Sequence, residues 1–245
     1  MNHGTPQLTF ISREDPPQSF PPLANALTEP DGLLAVGGDL SEERLLYAYR
    51  QGIFPWFGEG EPILWWSPDP RCILRPEHYH LSRSSGRALR RSNFTVSFNT
   101  AFDRIVDTCA EPRPDQPGTW ITRQMKSAYS ALHRSGWAHS VEVWDDGALA
   151  GGIYGISIGR VFFGESMFSR RSNGSKAALL ALCKTLQHRG FGLLDCQVIS
   201  PHLLSLGACS MPRVHFASLL KELCVADKQL KIPAGPPRPI SDFQE

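Results

Sequence analysis

The sequence predicts a mixed α/β (α+β) fold, with a small N-terminal domain over residues 1–72 and a larger domain, built on a mixed sheet, over residues 73–245. Three observations carry this reading. A chain of 245 residues has room for a small domain beside a larger one. Up to about residue 72 it is punctuated by proline and short on periodicity, whereas beyond that point strand alternation and helical spacing take turns. Finally, the apolar run Leu193-Leu194-Asp195-Cys196-Gln197-Val198-Ile199, preceded by Gly192, reads as a buried strand.

The elements follow in order. Ser41 can cap a helix over residues 41–51, with Glu42 and Glu43 at its positive end and Gly52 as its terminator. Residues 53–71 are aromatic and proline-rich, too irregular for a helix, and are read as a rigid loop with short strands. Phe94, Val96 and Phe98 alternate as in a strand, and Phe102, Ile105, Val106 and Cys109 have helical spacing. Thr122 can cap a helix that buries Met125, Ala128, Tyr129 and Leu132 and ends at Gly136. Strands over 140–144 and 148–158 flank Asp146-Gly147, a strong hairpin signal, and a turn at Gly159-Arg160 leads into a strand over 161–168. A helix over 175–188 carries Leu179, Leu182, Cys183 and Leu186 on one stripe, and a last helix carries Phe216, Leu219, Leu220 and Leu223. The tail, residues 233–239, is a poor helix or strand former, and no internal repeat is present.

Composition bounds the function. Hydrophobic content is 41% and the formal charge is +1, so no global field advertises a polyanionic partner, although a local patch can do so. No apolar run approaches a membrane-spanning length, and Met1-Asn2-His3-Gly4-Thr5-Pro6 does not read as a secretory signal. A cytoplasmic protein with no membrane association is therefore expected, with a monomer as the default. None of Cys72, Cys109, Cys183, Cys196, Cys209 and Cys224 forms a C-x-x-C pair; they read as reduced core residues, not a disulfide frame or zinc site. His78 and His80 lack partner ligands, so no metal is expected; no cofactor is expected either.

Three constellations carry chemistry. Asp195 and Gln197 interrupt an apolar strand two residues apart, which turns them to the same face. Unpaired buried polar groups cost on the order of 1–3 kcal/mol each. The pair therefore either completes a core through a mutual hydrogen bond or offers an acceptor for a proton or an amine. Glu165, in Gly164-Glu165-Ser166-Met167-Phe168-Ser169, interrupts its strand in the same way; it can hold a cationic amine or pair with an arginine such as Arg170. Arg83, Arg87, Arg90 and Arg91 share one helical face, and no Asp or Glu occurs between Glu77 and Asp103. Such a face suits phosphate oxygens, though a solvated surface gives the same pattern and Gly86 weakens the helix. Tyr49, Trp56, Trp65, Trp66, Trp120 and Tyr129 supply rings on which a nucleobase could stack, and Trp56, beside Pro55 and near glycines, is the better candidate for exposure.

Three antiparallel strands, a helix and a strand resemble the central order of the acyl-CoA N-acyltransferase (GNAT) superfamily, which implies a GNAT-like larger domain. A more specific likeness comes from seven motifs. These are Gly37-Gly38-Asp39-Leu40, Gly52-Ile53-Phe54-Pro55-Trp56-Phe57, the stretch from Ile63 through Trp65-Trp66-Ser67-Pro68 to Arg71, Gly118-Thr119-Trp120-Ile121-Thr122, His139-Ser140-Val141-Glu142-Val143-Trp144, the Glu165 motif and Asp195-Cys196-Gln197. In order and over most of the chain, they resemble the bacterial leucyl/phenylalanyl-tRNA–protein transferases. The resemblance implies transfer of Leu or Phe, and Met less well, from aminoacyl-tRNA to the N-terminal Arg or Lys of an acceptor protein, a tag for N-degron proteolysis. It places Asp195 and Gln197 at the reacting amine and ester, and Glu165 in the amino-acid pocket or acceptor site. Trp56, Trp120, Tyr49, Tyr129 and Ser200 would surround the terminal adenosine. The side-chain pocket would comprise Ile153, Phe162, Leu179, Leu182 and Leu194, and the four arginines would contact the acceptor stem. Ser200 stands where Asn is expected, and Ile153 and Leu182 where Met and Phe are expected, so pocket shape and donor preference stay open.

On this reading Asp195 accepts hydrogen bonds from the Gln197 amide and orients it, the Gln197 carbonyl holds the attacking amine, and the proton passes towards Asp195; alternatively Asp195 is a direct general base. Two other classes compete. An acyl-CoA-dependent N-acetyltransferase would need a phosphate loop of the form R/Q-x-x-G-x-G/A, which Arg171-Ser172-Asn173-Gly174-Ser175-Lys176 fails at its last position. A non-catalytic tRNA-binding module would rest on the arginine face and the aromatic residues alone.

Overall fold

The centre of the molecule is the hairpin that Asp146-Gly147 announced. In the computed structural model, which describes residues 8–112, 119–225 and 232–244, β7 (Ala138–Asp145) and β8 (Ala148–Ile158) meet across those two residues. Both residues have positive φ, 48° and 79°, as the tight primed turn requires. A second reversal brings β9 (Val161–Ser169) antiparallel to β8. Helix α5 (Gly174–His188) then crosses over, so β10 (Leu193–Gln197) returns parallel to β9. With β5 (Arg71–Leu74), β6 (Thr95–Phe98), β11 (Cys209–Met211) and β12 (Gly235–Pro239) the sheet has, among the described residues, eight strands in the order β11-β5-β10-β9-β8-β7-β6-β12.

A separate sheet of four strands precedes it: β1 (Thr9–Ile11), β2 (Leu33–Gly37), β3 (Phe54–Pro55) and β4 (Leu64–Trp66), in the order β1-β2-β4-β3. The chain leaves this sheet at Trp66 and enters the larger one at Arg71. Helix α1 (Glu42–Arg50) begins where Ser41 accepts the Arg44 amide at 3.4 Å. The remaining α-helices among the described residues are α2 (Arg83–Arg90), α3 (Phe102–Cys109), α4 (Arg123–Arg134), the single turn α6 (Pro201–Leu204) and α7 (Arg213–Leu223). Ser82 and Thr122 cap α2 and α4.

Two apolar clusters form. One joins the small sheet and α1 to one face of the large sheet through Trp65, Tyr49, Phe163, Tyr129 and Phe216. The other lies between the opposite face and α5, through Phe162, Leu182 and Leu194. The α5 start presses on β8 so closely that a Cβ on Gly174 would lie 2.2 Å from the Ala150 carbonyl oxygen.

Four expectations change. The run read as a buried strand over 193–199 ends as β10 at Gln197, and Val198 and Ile199 are exposed. The tail is not shapeless: β12 pairs with β6, and a 3-10 turn (Ile240–Phe243) buries Ile240 and Phe243. Cys209 is exposed, not a core residue. Arg170 pairs with Glu111, not with Glu165. The N-terminal hexapeptide and Gly118 lie outside the described residues.

Candidate active site

Two β-bulges on neighbouring strands build the site. Between β8 and β9, Tyr154 faces Ser166 while Gly155 faces Gly164, so Glu165 is the extra residue. The bulge explains why Phe163 and Phe168, five apart, reach the same cluster, which regular alternation forbids. Gly155 tolerates it because it has no side chain: a Cβ there would stand 2.1 Å from the Phe163 carbonyl oxygen. Between β10 and β5, Asp195 faces Ile73 and Gln197 faces Cys72, which makes Cys196 extra. Gln197 takes a left-handed φ of 63°, uncommon for a residue with a side chain.

Asp195 is sealed from solvent against Arg71, equally sealed. Arg71 Nε donates to Oδ1 at 2.8 Å and Nη2 to Oδ2 at 2.6 Å, while Nη1 donates to the Gly52 carbonyl at 3.0 Å. The rings of Phe54 and Phe216 each lie 4.7 Å from the guanidinium carbon. Asp195 also accepts the backbone N–H of Gln197 at 2.9 Å. The Gln197 side-chain amide turns elsewhere, donating to Glu165 Oε1 at 3.0 Å. The arrangement in which Asp195 orients that amide is thus not the one found; Asp195 holds the backbone and Glu165 holds the side chain.

Glu165 is buried and accepts from the hydroxyls of Tyr49 at 2.7 Å and Tyr129 at 2.6 Å, which are themselves 2.7 Å apart. Three oxygen–oxygen contacts need three protons, and two phenols carry only two. A protonated carboxyl supplies the third and closes the ring; an ionised one leaves one contact without a hydrogen. Burial raises the Glu165 carboxyl to about 7, a rise that the hydrogen bonds of Tyr129 and Tyr49 hold back and that the nearby charge of Asp195 promotes. Burial also pushes both phenols well above their ordinary value.

Pairing of β9 with β10 ends at Phe163 and Asp195. Just beyond lies a cavity of about 90 Å³ whose polar lining residues are Glu165, Ser166 and Asp195. Ile153, Met167, Leu179, Leu194 and Leu203 form its apolar wall, with Cys196 beside them.

The predicted residues divide accordingly. Asp195, Gln197 and Glu165 come together. Ile153, Leu179 and Leu194 line the cavity, but Phe162 and Leu182 do not: both are buried in the cluster behind it. Tyr49 and Tyr129 present no open face to a nucleobase, because both are fully buried holding Glu165. Trp56 is 41% exposed beside Trp66, whose Nε1 donates to the Trp56 carbonyl. Trp120 is half-buried against the first cluster. Ser200 caps α6, accepting the Leu203 amide at 3.2 Å. Arg83, Arg87, Arg90 and Arg91 are all exposed opposite the buried Ser85 and Leu89, with no ion pair among the described residues. Sequence reasoning missed Arg71, Met167, Cys196 and Leu203 as site residues. For Arg71 the signal was present: a cation heading the apolar run Arg71-Cys72-Ile73-Leu74 needs a buried partner.

A family model described as leucyl/phenylalanyl-tRNA protein transferase matches residues 73–221, and one for the N-terminal domain of the same proteins matches residues 38–69. Curated proteins named leucyl/phenylalanyl-tRNA–protein transferase are similar over most of the chain. That of Pseudomonas fluorescens (strain SBW25) is 54% identical, covering 88% of this chain and 94% of its own. That of Methylococcus capsulatus (strain ATCC 33009 / NCIMB 11132 / Bath) is 55% identical over 88% and 92%. That of Xanthomonas euvesicatoria pv. vesicatoria (strain 85-10) is 61% identical over 80% and 79%.

Proposed function

This chain belongs to the leucyl/phenylalanyl-tRNA–protein transferase family, and from that premise we propose that it moves Leu or Phe, and Met less well, from aminoacyl-tRNA to the α-amine of an N-terminal Arg or Lys, marking the acceptor for N-degron proteolysis. It is an aminoacyltransferase; the donor set, acceptor rule and residue roles are our reading. The aminoacyl ester is already activated, so the enzyme has to align an amine with the ester carbonyl and manage one proton.

One observation carries the mechanism: the Gln197 amide is pinned by Glu165, and Glu165 is itself a lining residue of a mostly apolar cavity. With its N–H engaged there, the Gln197 carbonyl can accept from the attacking α-amine. Glu165 then takes the amine's proton as the bond to the ester carbon forms, and returns it to the departing ribose 3′-oxygen. Its carboxyl, raised to about 7, suits both directions near neutrality. Asp195 keeps the strand end in place through Arg71 and the Gln197 backbone. The donor's side chain enters between Ile153, Met167 and Leu203, where apolar walls discriminate by size and shape. Trp56 and Trp120 serve the terminal adenosine, and the α2 arginines serve the acceptor stem.

The deciding experiment offers an Arg-terminated peptide with Leu-, Phe- or Met-tRNA in parallel with acetyl-CoA. Aminoacyl transfer without acetyl transfer is expected. Acetyl transfer alone would establish an acyl-CoA enzyme, and tRNA binding without either product a non-catalytic module.

A further inference from the structure

The C-terminal end of α5 and the folded-back tail enclose a second cleft of about 630 Å³. Lys184, His188 and Arg189 come from the helix, and Arg238, Asp242 and Phe243 from the tail. Basic groups at a helix C-terminus complement its dipole, and this accounts for part of the pattern. It does not account for Arg238, which comes from a different segment, 4.7 Å over the Phe243 ring.

The tail holds that arginine in place. Arg238 sits opposite Val96 in the β12–β6 ladder, the Ile240 amide donates to the Phe94 carbonyl at 2.9 Å, and Phe243 is buried. The same tail reaches α2, where Gln244 Nε2 donates to the Gly86 carbonyl at 3.3 Å. Helix α2 in turn lies against α5, with Lys176 Nζ on Ser85 Oγ at 3.0 Å. The cleft and the α2 arginine face are therefore joined by shared walls. Neither acid-free stretch, Glu77 to Asp103 or Glu165 to Asp195, contributes a carboxylate between its ends, so Asp242 is the one acid lining the cleft among the described residues. In a chain of net charge +1 this concentrates cations on one side.

We propose that this cleft is a second phosphate-gripping site for the donor tRNA, extending the α2 face along the RNA backbone. Arg189 and Arg238 hold phosphate oxygens through paired donors, as guanidinium groups do. The inference rests on the transferase reading above for the identity of the RNA. The tail that supplies Arg238 lies beyond residues 73–221, the stretch matched to the family.

The test measures binding of full-length tRNA against salt concentration for the parent, Arg189→Ala/Arg238→Ala and Asp242→Asn. The double variant should bind about tenfold more weakly near physiological salt, with a log–log salt slope shallower by about two, one for each phosphate that loses its guanidinium. Asp242→Asn, which removes the lining carboxylate, should bind more tightly, a gain that misfolding does not imitate. An unchanged slope in the double variant overturns the proposal, as does weaker binding by Asp242→Asn. Transfer by the parent from full-length aminoacyl-tRNA to an Arg-terminated peptide is assayed separately. Its absence would remove the transferase reading while leaving a changed slope as support for the phosphate site.

Discussion

Arg71 and Asp195 face each other from adjacent strands, β5 and β10, in a two-pronged ion pair that solvent does not reach. Such a pair is held by its geometry, and losing one partner leaves a buried charge, which costs roughly 3–5 kcal/mol. Arg71→Ala should destabilise the protein by about that amount in urea unfolding and should abolish transfer. Arg71→Lys keeps the charge but not the fork and should recover only part of the stability. Wild-type unfolding by Arg71→Ala would mean the pair contributes no organisation.

The proton-carrying role proposed for Glu165 predicts a pH signature for the reaction. A base must be ionised, so single-turnover transfer should rise as pH passes through about 7. The Tyr129 hydroxyl holds the carboxyl down, so Tyr129→Phe should move the rising limb to higher pH. A limb that stays put in Tyr129→Phe would detach Glu165 from the profile.

The same group makes stability fall with pH. Its folded value, about 7, lies above the ordinary value of 4.5, so the folded state binds this proton more tightly than the unfolded chain. The stabilisation is complete below about 4.5 and is lost as pH rises through about 7, on the order of 3 kcal/mol over the whole interval. Glu165→Gln should flatten that decline in urea titrations run from pH 5 to 8. An identical slope in the variant would show that other groups set it.

Gln197→Glu and Asp195→Asn separate the two strand-end roles. The first sets a second carboxylate 3.0 Å from the first and should suppress transfer strongly with the fold intact. The second weakens the grip on Arg71 and should lower stability and activity together. Were Asp195→Asn to lose transfer with unchanged stability, Asp195 would return as a proton acceptor.

Leu203 and Phe162 make a paired contrast. Leu203 lines the cavity and is half-buried, so Leu203→Ala should shift the Phe-to-Leu transfer ratio by roughly tenfold with little change in melting. Phe162 is behind the wall, so Phe162→Ala should destabilise by about 3–5 kcal/mol and leave that ratio nearly unchanged. Competition between Phe-tRNA and Leu-tRNA, with melting curves, reads both.

Glu165, Asp195 and Gln197 are legible because each is polar within an apolar strand, where the cost of burial demands a partner. Their wiring is not. Alternation puts Asp195 and Gln197 on one side but says nothing of a bulge that sends the Gln197 amide to another strand. Tyr49 and Tyr129 look like any aromatic residues in sequence; only tertiary packing, 80 positions apart, brings their hydroxyls together. Helices with caps, such as α1 and α4, can be read nearly to the residue because capping is local chemistry. The tail escapes such a reading because its strand pairing owes nothing to side-chain periodicity.

That pairing bears on how the protein is handled. A wide sheet has two open sides, each a template on which another chain could add itself. Here one side ends in β11, three residues long, and the other in β12, whose Pro236, Pro237 and Pro239 have no amide hydrogen to offer a newcomer. Trimming the C-terminus before residue 235 would bare β6 in its place, and shortened versions made for convenience should clump where the full chain stays dispersed.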